Sequence, residues 1–180
     1  MIDRDSDSLR VRITNLDGKA YCHTGRAALQ YRRSAGFSFE LEYIFKDKQI
    51  TYDGALRSEA LLPQHRFMAG AAYRFSGKEN DERFWEIGIS GNLLGKQRLP
   101  LNGGSAQAFA PGYGLLNARI EKALDRWFFF LHADNLLDYR MPQPVISAEN
   151  TASPLFEASQ QWAPVAGRIF RLGVSWKWLK

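Results

Sequence analysis

The chain has almost no cysteine and no long apolar run, and both deficits narrow the classes of protein to which it can belong. With a single cysteine, Cys22, it can form neither an internal disulfide framework nor a Cys-x-x-Cys metal site. The longest apolar run, 127–131, stops at His132, far short of the roughly 20 residues that a membrane-spanning helix requires. Helical membrane proteins are therefore excluded. A membrane-spanning β-strand is not, because it needs only about 10 residues with every second one apolar.

Blocks of one charge sign are also missing. The net charge is +5, but lysine and arginine are interleaved with aspartate and glutamate. Without a basic helix or a phosphate-binding motif, we expect no nucleic-acid partner. The first seven residues lack the basic and apolar regions of a signal peptide. Since an exported protein should have one, we expect either that a signal was removed or that the residues before Met1 belong to a longer parent chain.

Motifs for catalysis and cofactor binding are absent as well. The three histidines, His23, His65 and His132, lie on different predicted strands with no carboxylate or cysteine at ligand spacing, so no metal or other cofactor is expected. There is no Gly-x-Ser-x-Gly motif. His132 and Asp134 could be imagined in a hydrolytic set, but paired polar groups on the inner wall of a barrel explain them better. The sequence therefore predicts that the chain is not an enzyme.

Aromatic residues and a two-residue hydrophobic alternation are abundant. The 5 Trp, 7 Tyr and 12 Phe lie mostly near the ends of alternating segments, as in the interfacial girdles of membrane barrels. In the clearest segment, apolar residues at odd positions alternate with Ser38, Glu40 and Glu42. Eight segments fit the strand pattern, namely 9–14, 20–32, 37–48, 65–75, 83–94, 113–124, 126–136 and 168–178.

The connections between these segments alternate in length. Three are short, at 33–36, 76–82 and 125. The connections at the opposite ends of the strands are long, except for 15–19. Short turns alternating with long loops are typical of outer-membrane barrels, whose turns face the periplasm and whose loops face outwards. The long loops are 49–64, 95–112 and 139–167.

A soluble β-sandwich would also show this alternation. Against it, strands of roughly 11 to 13 residues exceed the usual 5 or 6 of globular sheets. Charged residues also occupy mid-strand positions, where a sandwich tolerates them only on its outside. We interpret these charges as wall groups of a barrel interior, paired with neighbours or with a plug; they are Arg119, Glu121, Arg171 and Lys177.

Three motifs resemble those of TonB-dependent outer-membrane receptors. The end of the seventh segment resembles the Asn-Leu-Leu/Phe-Asp box that follows this family's penultimate strand. The start of the eighth resembles its Pro-Gly-Arg motif, and the start of the fourth is similar to its Pro-x-His-Arg motif. In chain order, the matching residues are Pro63, His65 and Arg66, then Asn135, Leu136, Leu137 and Asp138, then Pro164, Gly167 and Arg168.

The last segment resembles the signal by which the barrel-assembly machinery recognises outer-membrane proteins. That signal is a polar residue, a glycine and two aromatic positions at alternate spacing on an edge strand. This resemblance implies the assembly machinery as a partner. The usual terminal aromatic residue is replaced here, since Leu179 and Lys180 end the chain. The matching residues are Arg171, Gly173, Trp176 and Trp178.

The resemblance implies energy-coupled uptake of a scarce nutrient, most often a ferric siderophore, with the TonB complex acting through a plug domain. Receptors of this family have 22-stranded barrels, and residues 1–180 contain neither the plug nor the energy-coupling box. We therefore predict an all-β, antiparallel up-and-down transmembrane β-barrel of about eight strands in the bacterial outer membrane, forming the C-terminal part of a larger barrel. No motif in the loops identifies the ligand.

Two other functions fit parts of the pattern. A self-contained eight-stranded outer-membrane barrel would be a lipid-modifying enzyme or an adhesion protein. A soluble lipocalin-like binder would have the apolar face turned inwards. Detergent dependence of the folded state separates both membrane barrels from the soluble binder.

Overall fold

Antiparallel β-strands make up the regular secondary structure of the part of the chain that the computed structural model describes, residues 2–3, 12–13, 15–33, 36–52, 54–76, 82–100, 109–142 and 163–178. Within these residues, no helix is long and apolar enough to cross a membrane. The strands are β1 (Ile2–Asp3), β2 (Arg12–Ile13), β3 (Ala20–Tyr31), β4 (Gly36–Tyr52), β5 (Ala55–Ser58), β6 (His65–Ser76), β7 (Phe84–Leu94), β8 (Gln97–Arg98), β9 (Phe109–Ala110), β10 (Tyr113–Leu124), β11 (Trp127–Asp134) and β12 (Ile169–Trp176).

The long strands form one sheet in the order β12-β11-β10-β7-β6-β4-β3. Each long strand pairs with the next long strand of the chain, and every pairing is antiparallel. This is an up-and-down meander, as the sequence predicts. Seven of the eight predicted segments coincide with these strands to within four residues at either end.

Strand β4 is longer than predicted because it continues into the long connection 49–64. Its last four residues pair with β5 in a tight hairpin. Gly54 lies in the turn at φ +76°, a conformation that glycine adopts without steric cost. The hairpin projects from the sheet on the side of the long connections, which we call the loop end. The opposite edge, with the short connections, is the turn end.

The first predicted segment, 9–14, does not join this sheet. Its described part is β2, which pairs with β1 in a separate two-stranded sheet. Residues 9–11 and 14 lie outside the described part of the chain. Strands β3 and β12 are therefore the two edges of the described sheet, and each pairs on one side only. The described residues form an open sheet and not a closed barrel, so the self-contained eight-stranded barrel is not present among them.

The sheet has one apolar and one polar face, because the alternation stays in register from strand to strand. On the apolar face Leu29 lies opposite Leu41, and Tyr73 lies opposite Ile87. These side chains are exposed, with Leu172 reaching 82%. The buried apolar residues of the described chain are few and mostly small or near the loop end; they are Ile50, Tyr52, Ala60, Ala72, Ala110, Met141 and Ala163.

Candidate functional site

A network of ion pairs crosses the polar face in the half of the sheet nearer the turn end. Glu86 on β7 accepts from Arg74 on β6 and from Arg119 on β10, each at 2.8 Å. Arg119 also lies 3.7 Å from Glu121, whose carboxylate is 3.0 Å from His132 Nε2 on β11. Four neighbouring strands are thus joined by charged side chains as well as by backbone hydrogen bonds.

Other polar pairs extend this network towards both edges of the sheet. Arg171 on β12 lies 2.6 Å from Asp134 on β11, and Arg26 on β3 pairs with Glu42 on β4. Arg119, Glu121 and Arg171 are therefore paired with neighbours, as predicted for wall groups. His132 and Asp134 contact Glu121 and Arg171, respectively, and do not form a hydrolytic set with each other.

Glycines on the polar face let long side chains lie flat against the sheet. Gly88 faces Arg119 and Gly70 faces Glu40 in the cross-strand register. A Cβ atom at Gly88 would lie 3.1 Å from Arg119 Cζ, and one at Gly70 would lie 3.0 Å from Glu40 Oε1. A side chain at either glycine would push its neighbour away from the wall.

The glycine of the predicted assembly signal likewise leaves room for a side chain of the neighbouring strand. Gly173 on β12 faces Phe130 on β11, and the phenyl ring lies over it so closely that an added Cβ would overlap the ring. Because glycine has no side chain, the backbone around it is uncovered, and an aromatic ring from the neighbouring strand shields that backbone from its surroundings. The position of Phe130, an aromatic residue on the polar face, is explained by this contact.

The aromatic residues of that signal lie on the apolar face at the turn end. The rings of Trp176 and Trp127 are 5.9 Å apart, and those of Trp176 and Trp178 are 4.2 Å apart. Arg171 is on the opposite face, as the two-residue period requires. The structure thus separates the signal into two aromatic residues on one side of β12 and a polar residue and a glycine on the other.

The two C-terminal receptor-like motifs meet at the loop end, although about 30 residues separate them. We call residues 135–138 and 164–168 together the loop clasp. The backbone N–H of Arg168 donates to Asp138 Oδ1 at 2.8 Å, and Arg168 Nε donates to the carbonyl oxygen of Leu136 at 3.1 Å. A Cβ at Gly167 would overlap Asp138 and Arg140, so only glycine fits there. The carbonyl oxygen of Pro164 accepts from the N–H of Met141 at 3.3 Å.

Asn135 is the centre of the loop clasp. It is 6% exposed and adopts φ +52°, in the left-handed region that asparagine tolerates better than most residues. Its Nδ2 donates to the carbonyl oxygens of Tyr139 (2.8 Å) and Ala166 (3.3 Å), and its Oδ1 accepts from the N–H of Tyr139 (2.9 Å). Its own N–H donates to Asn117 Oδ1 at 2.9 Å. One side chain therefore holds both ends of the connection to β12.

The clasp also includes residues outside the two motifs. The ring of Tyr139 stacks on that of Tyr113, with centroids 5.6 Å apart and planes 8° from parallel. Asn117 becomes a partner of Asn135 only through the β10–β11 register, which a single sequence does not give. By contrast, Leu137 is 66% exposed and contributes no hydrogen bond to the clasp.

The Pro63, His65 and Arg66 motif lies at the same end of the sheet, with β7 and β10 between it and the clasp. His65 Nδ1 is 2.8 Å from the hydroxyl of Tyr43. Arg66 Nε donates to Asn92 Oδ1 at 3.2 Å on the polar face. The motif therefore connects β6 to both of its neighbours and does not join the other two motifs.

Hydrogen bonds join two of the long connections, 49–64 and 95–112, at the loop end. Arg98 is buried at 2% exposure, and its Nε donates to the carbonyl oxygen of Ser58 at 2.6 Å. The carbonyl oxygen of Arg98 in turn accepts from the N–H of Leu61 at 2.8 Å. This contact joins β8 to β5. In the described part of the chain, no three His, Cys, Asp or Glu side chains are close enough together to bind a metal ion.

Replacing Asn135 with alanine should destabilise the protein by about 2–3 kcal/mol, because buried backbone groups lose their partners and alanine is disfavoured at positive φ. Urea unfolding of the full chain in detergent micelles measures this. Asn135→Gly relieves the backbone conformation but not the lost hydrogen bonds, so it should recover only part of the loss. The control Leu137→Ala should stay within about 0.5 kcal/mol. Equal stability of Asn135→Ala and Leu137→Ala would contradict a stabilising clasp.

The clasp should weaken in acid. The hydrogen bond from the backbone N–H of Arg168, together with the nearby charge of Arg140, lowers the pKa of Asp138 below its usual 3.8. Because the pKa is lower in the folded state, the carboxylate stabilises the fold above about pH 4 and loses this effect as the pH falls through the folded-state pKa. Unfolding free energies at neutral pH and at pH ~3 should therefore differ less in Asp138→Asn than in the wild type. An identical pH dependence would exclude this role.

Comparison with known proteins identifies no family for this arrangement. No family model matches the chain, and neither a curated protein nor a solved structure shows significant similarity to it. The resemblance to receptors therefore rests on the quoted motifs. Two of them, at the ends of one long connection, are brought into contact by the fold.

Proposed function

We propose that the sheet is part of the wall of a β-barrel in a bacterial outer membrane, with its apolar face towards lipid and its polar face towards the interior. The observation that supports this most directly is the continuous row of large exposed side chains on one face. Fully burying such a side chain stabilises by about 1.5–3 kcal/mol. A face this large requires an apolar cover, and lipid acyl chains supply one along the whole sheet.

The dimensions of the apolar face fit a bilayer. From Phe67 to Phe75 on β6 there are eight residue steps, about 27 Å along the strand and ~20 Å along the membrane normal at a 40° tilt. The apolar band on the outer surface of outer-membrane barrels is about 25 Å tall. Aromatic residues flank aliphatic ones at both ends, with Tyr43 and Phe67 at the loop end and Phe75, Trp85 and Trp127 at the turn end.

The polar face has the character of a barrel interior. Cavities of about 50, 150 and 420 Å³ open mainly among polar-face residues, including Glu40, Arg119, His132 and Lys177. A lipocalin-like binder would present the apolar residues to its cavity instead. The short connections at the turn end and long ones at the loop end match the periplasmic and external sides of such barrels.

The two sheet edges give a further requirement. Unpaired backbone groups in lipid are not tolerated, because each costs several kcal/mol. As part of the proposed wall, β3 and β12 therefore pair with other strands on their free sides. A larger barrel of the receptor class provides such partners.

Within that wall, we assign the chain to a TonB-dependent receptor on the strength of its motifs and the loop clasp. Its role is non-enzymatic: the wall and external loops admit a scarce nutrient, most often a ferric siderophore in that class. The force for uptake comes from the TonB complex through a plug domain, which residues 1–180 do not contain. The barrel-assembly machinery recognises β12 through Arg171, Gly173, Trp176 and Trp178.

The orientation of the two faces can be tested with neighbouring residues. Ile89 lies on the apolar face and Ser90 on the polar face of the same strand. Ile89→Arg should destabilise the membrane-inserted protein by about 2–4 kcal/mol, whereas Ser90→Arg should have little effect. Heat-dependent gel mobility after refolding into lipid vesicles reports insertion. Equal tolerance of both substitutions, or a folded state that needs neither lipid nor detergent, would contradict the membrane wall.

Receptor function can be tested in the source cells. Deleting the gene should reduce uptake of a radiolabelled ferric siderophore, and a protonophore should reduce wild-type uptake to the same level, since uptake needs the proton gradient. Labelled cobalamin, haem and an oligosaccharide serve as parallel substrates. If none of the four depends on the gene, the receptor assignment fails while the membrane wall stands.

A further inference from the structure

One charged side chain interrupts the apolar face. Lys122 lies on β10 directly opposite Trp85 of β7 and Phe129 of β11, both apolar-face residues. Within the described strands, from the level of Phe45 to the turns, it is the one charged residue on that face. A lysine in this position, two residues before β10 ends at Leu124, needs a reason, because charge next to acyl chains is costly.

Nothing in the described protein neutralises this charge. The Lys122 ammonium lies 4.3 Å from the centre of the Trp85 ring, and no described carboxylate is within ion-pair distance of it. The acidic neighbours Glu86 and Glu121 are on the other face, paired with arginine and histidine. The cation–π contact holds the ammonium at the ring but leaves its charge uncompensated.

The position of Lys122 fits the boundary between acyl chains and headgroups. Trp85, Trp127 and Trp176 surround the turn end of this face, and tryptophan is enriched at that depth in membranes. A lysine stem covers apolar surface while its ammonium extends towards water. From two residues inside the strand end, this reach brings the charge to the level of the lipid phosphates.

We propose that Lys122, together with the ring of Trp85 and the adjacent Trp127, forms a binding site for the headgroup of an anionic glycerophospholipid in the leaflet at the turn end. The ammonium binds the phosphodiester and the tryptophan rings pack against the glycerol and upper acyl chains. The site rests on the proposed membrane wall but goes beyond it, because it predicts a preference among lipids that a merely apolar wall would not have.

The tryptophans make a local test possible, because four of the five, Trp85, Trp127, Trp176 and Trp178, are described and lie at this end of the apolar face. The full chain is refolded into phosphatidylcholine bilayers with a rising fraction of phosphatidylglycerol whose acyl chains are brominated. Bromine quenches tryptophan fluorescence on contact, so the quenching curve gives the relative affinity for the two lipids.

In the wild type we expect phosphatidylglycerol to be preferred by about fivefold, the factor that one lysine near an anionic surface contributes. The preference should fall towards one in Lys122→Gln and Lys122→Met and persist in Lys122→Arg. Lys177→Gln is the matched control, because it removes the same charge near the turn end on the polar face. It should keep the wild-type preference.

The outcomes separate the two proposals. If the brominated lipid fails to quench the wild-type tryptophans even at its highest fraction, the chain is not in the bilayer, and both the membrane wall and the headgroup site are wrong. If it quenches them but Lys122→Gln and Lys122→Met keep the wild-type preference, only the headgroup site is wrong. An equal loss of preference in Lys177→Gln would also overturn it, since net charge alone would then explain the effect.

Discussion

The cross-strand register of a two-residue alternation is the constraint on which the other features of this fold depend. Because every long strand pairs with its chain neighbour, apolar residues fall on one face, where Ile87 lies between Tyr73 and Ile120, and most charged residues fall on the other, where Glu86 lies between Arg74 and Glu121. The ion pairs around Glu86 and Glu121, the tryptophans at the turn end and the glycines beneath Arg119 and Phe130 all follow from that register. The backbone hydrogen bonds and the separation of apolar from polar side chains therefore specify the same strand register.

The loop end of the sheet depends on a different kind of interaction. There, polar side-chain contacts take the place of the backbone hydrogen bonds between strands. Asn135 binds the backbone on both sides of the last long connection, and Arg98 joins the other two long connections. Both side chains are buried, and each donates to backbone carbonyl oxygens. These connections are thus anchored at their bases.

Much of the architecture could be predicted from the sequence, because strands such as 65–75 and 113–124 alternate without interruption and end at turn residues. The first segment could not be placed correctly, since alternation alone does not specify which strand a segment pairs with; its described part, β2, pairs with β1. The β4–β5 hairpin was missed because its residues resemble a loop. The motif residues of the clasp were recognised by resemblance, but their contacts with Asn117, Tyr139 and Ala166 depend on a register and a chain reversal that periodicity does not specify.

The charge network has a consequence for the register of the sheet. Shifting any one strand by a single residue would exchange its faces. For β7, a shift would turn Glu86 towards the apolar face and Ile87 towards the ion pairs; for β10, it would turn Arg119 and Glu121 towards the apolar face. Each such shift would leave a charged group among apolar side chains and break its ion pair with the neighbouring strand. The network therefore makes a one-residue shift of an inner strand unfavourable on both faces at once.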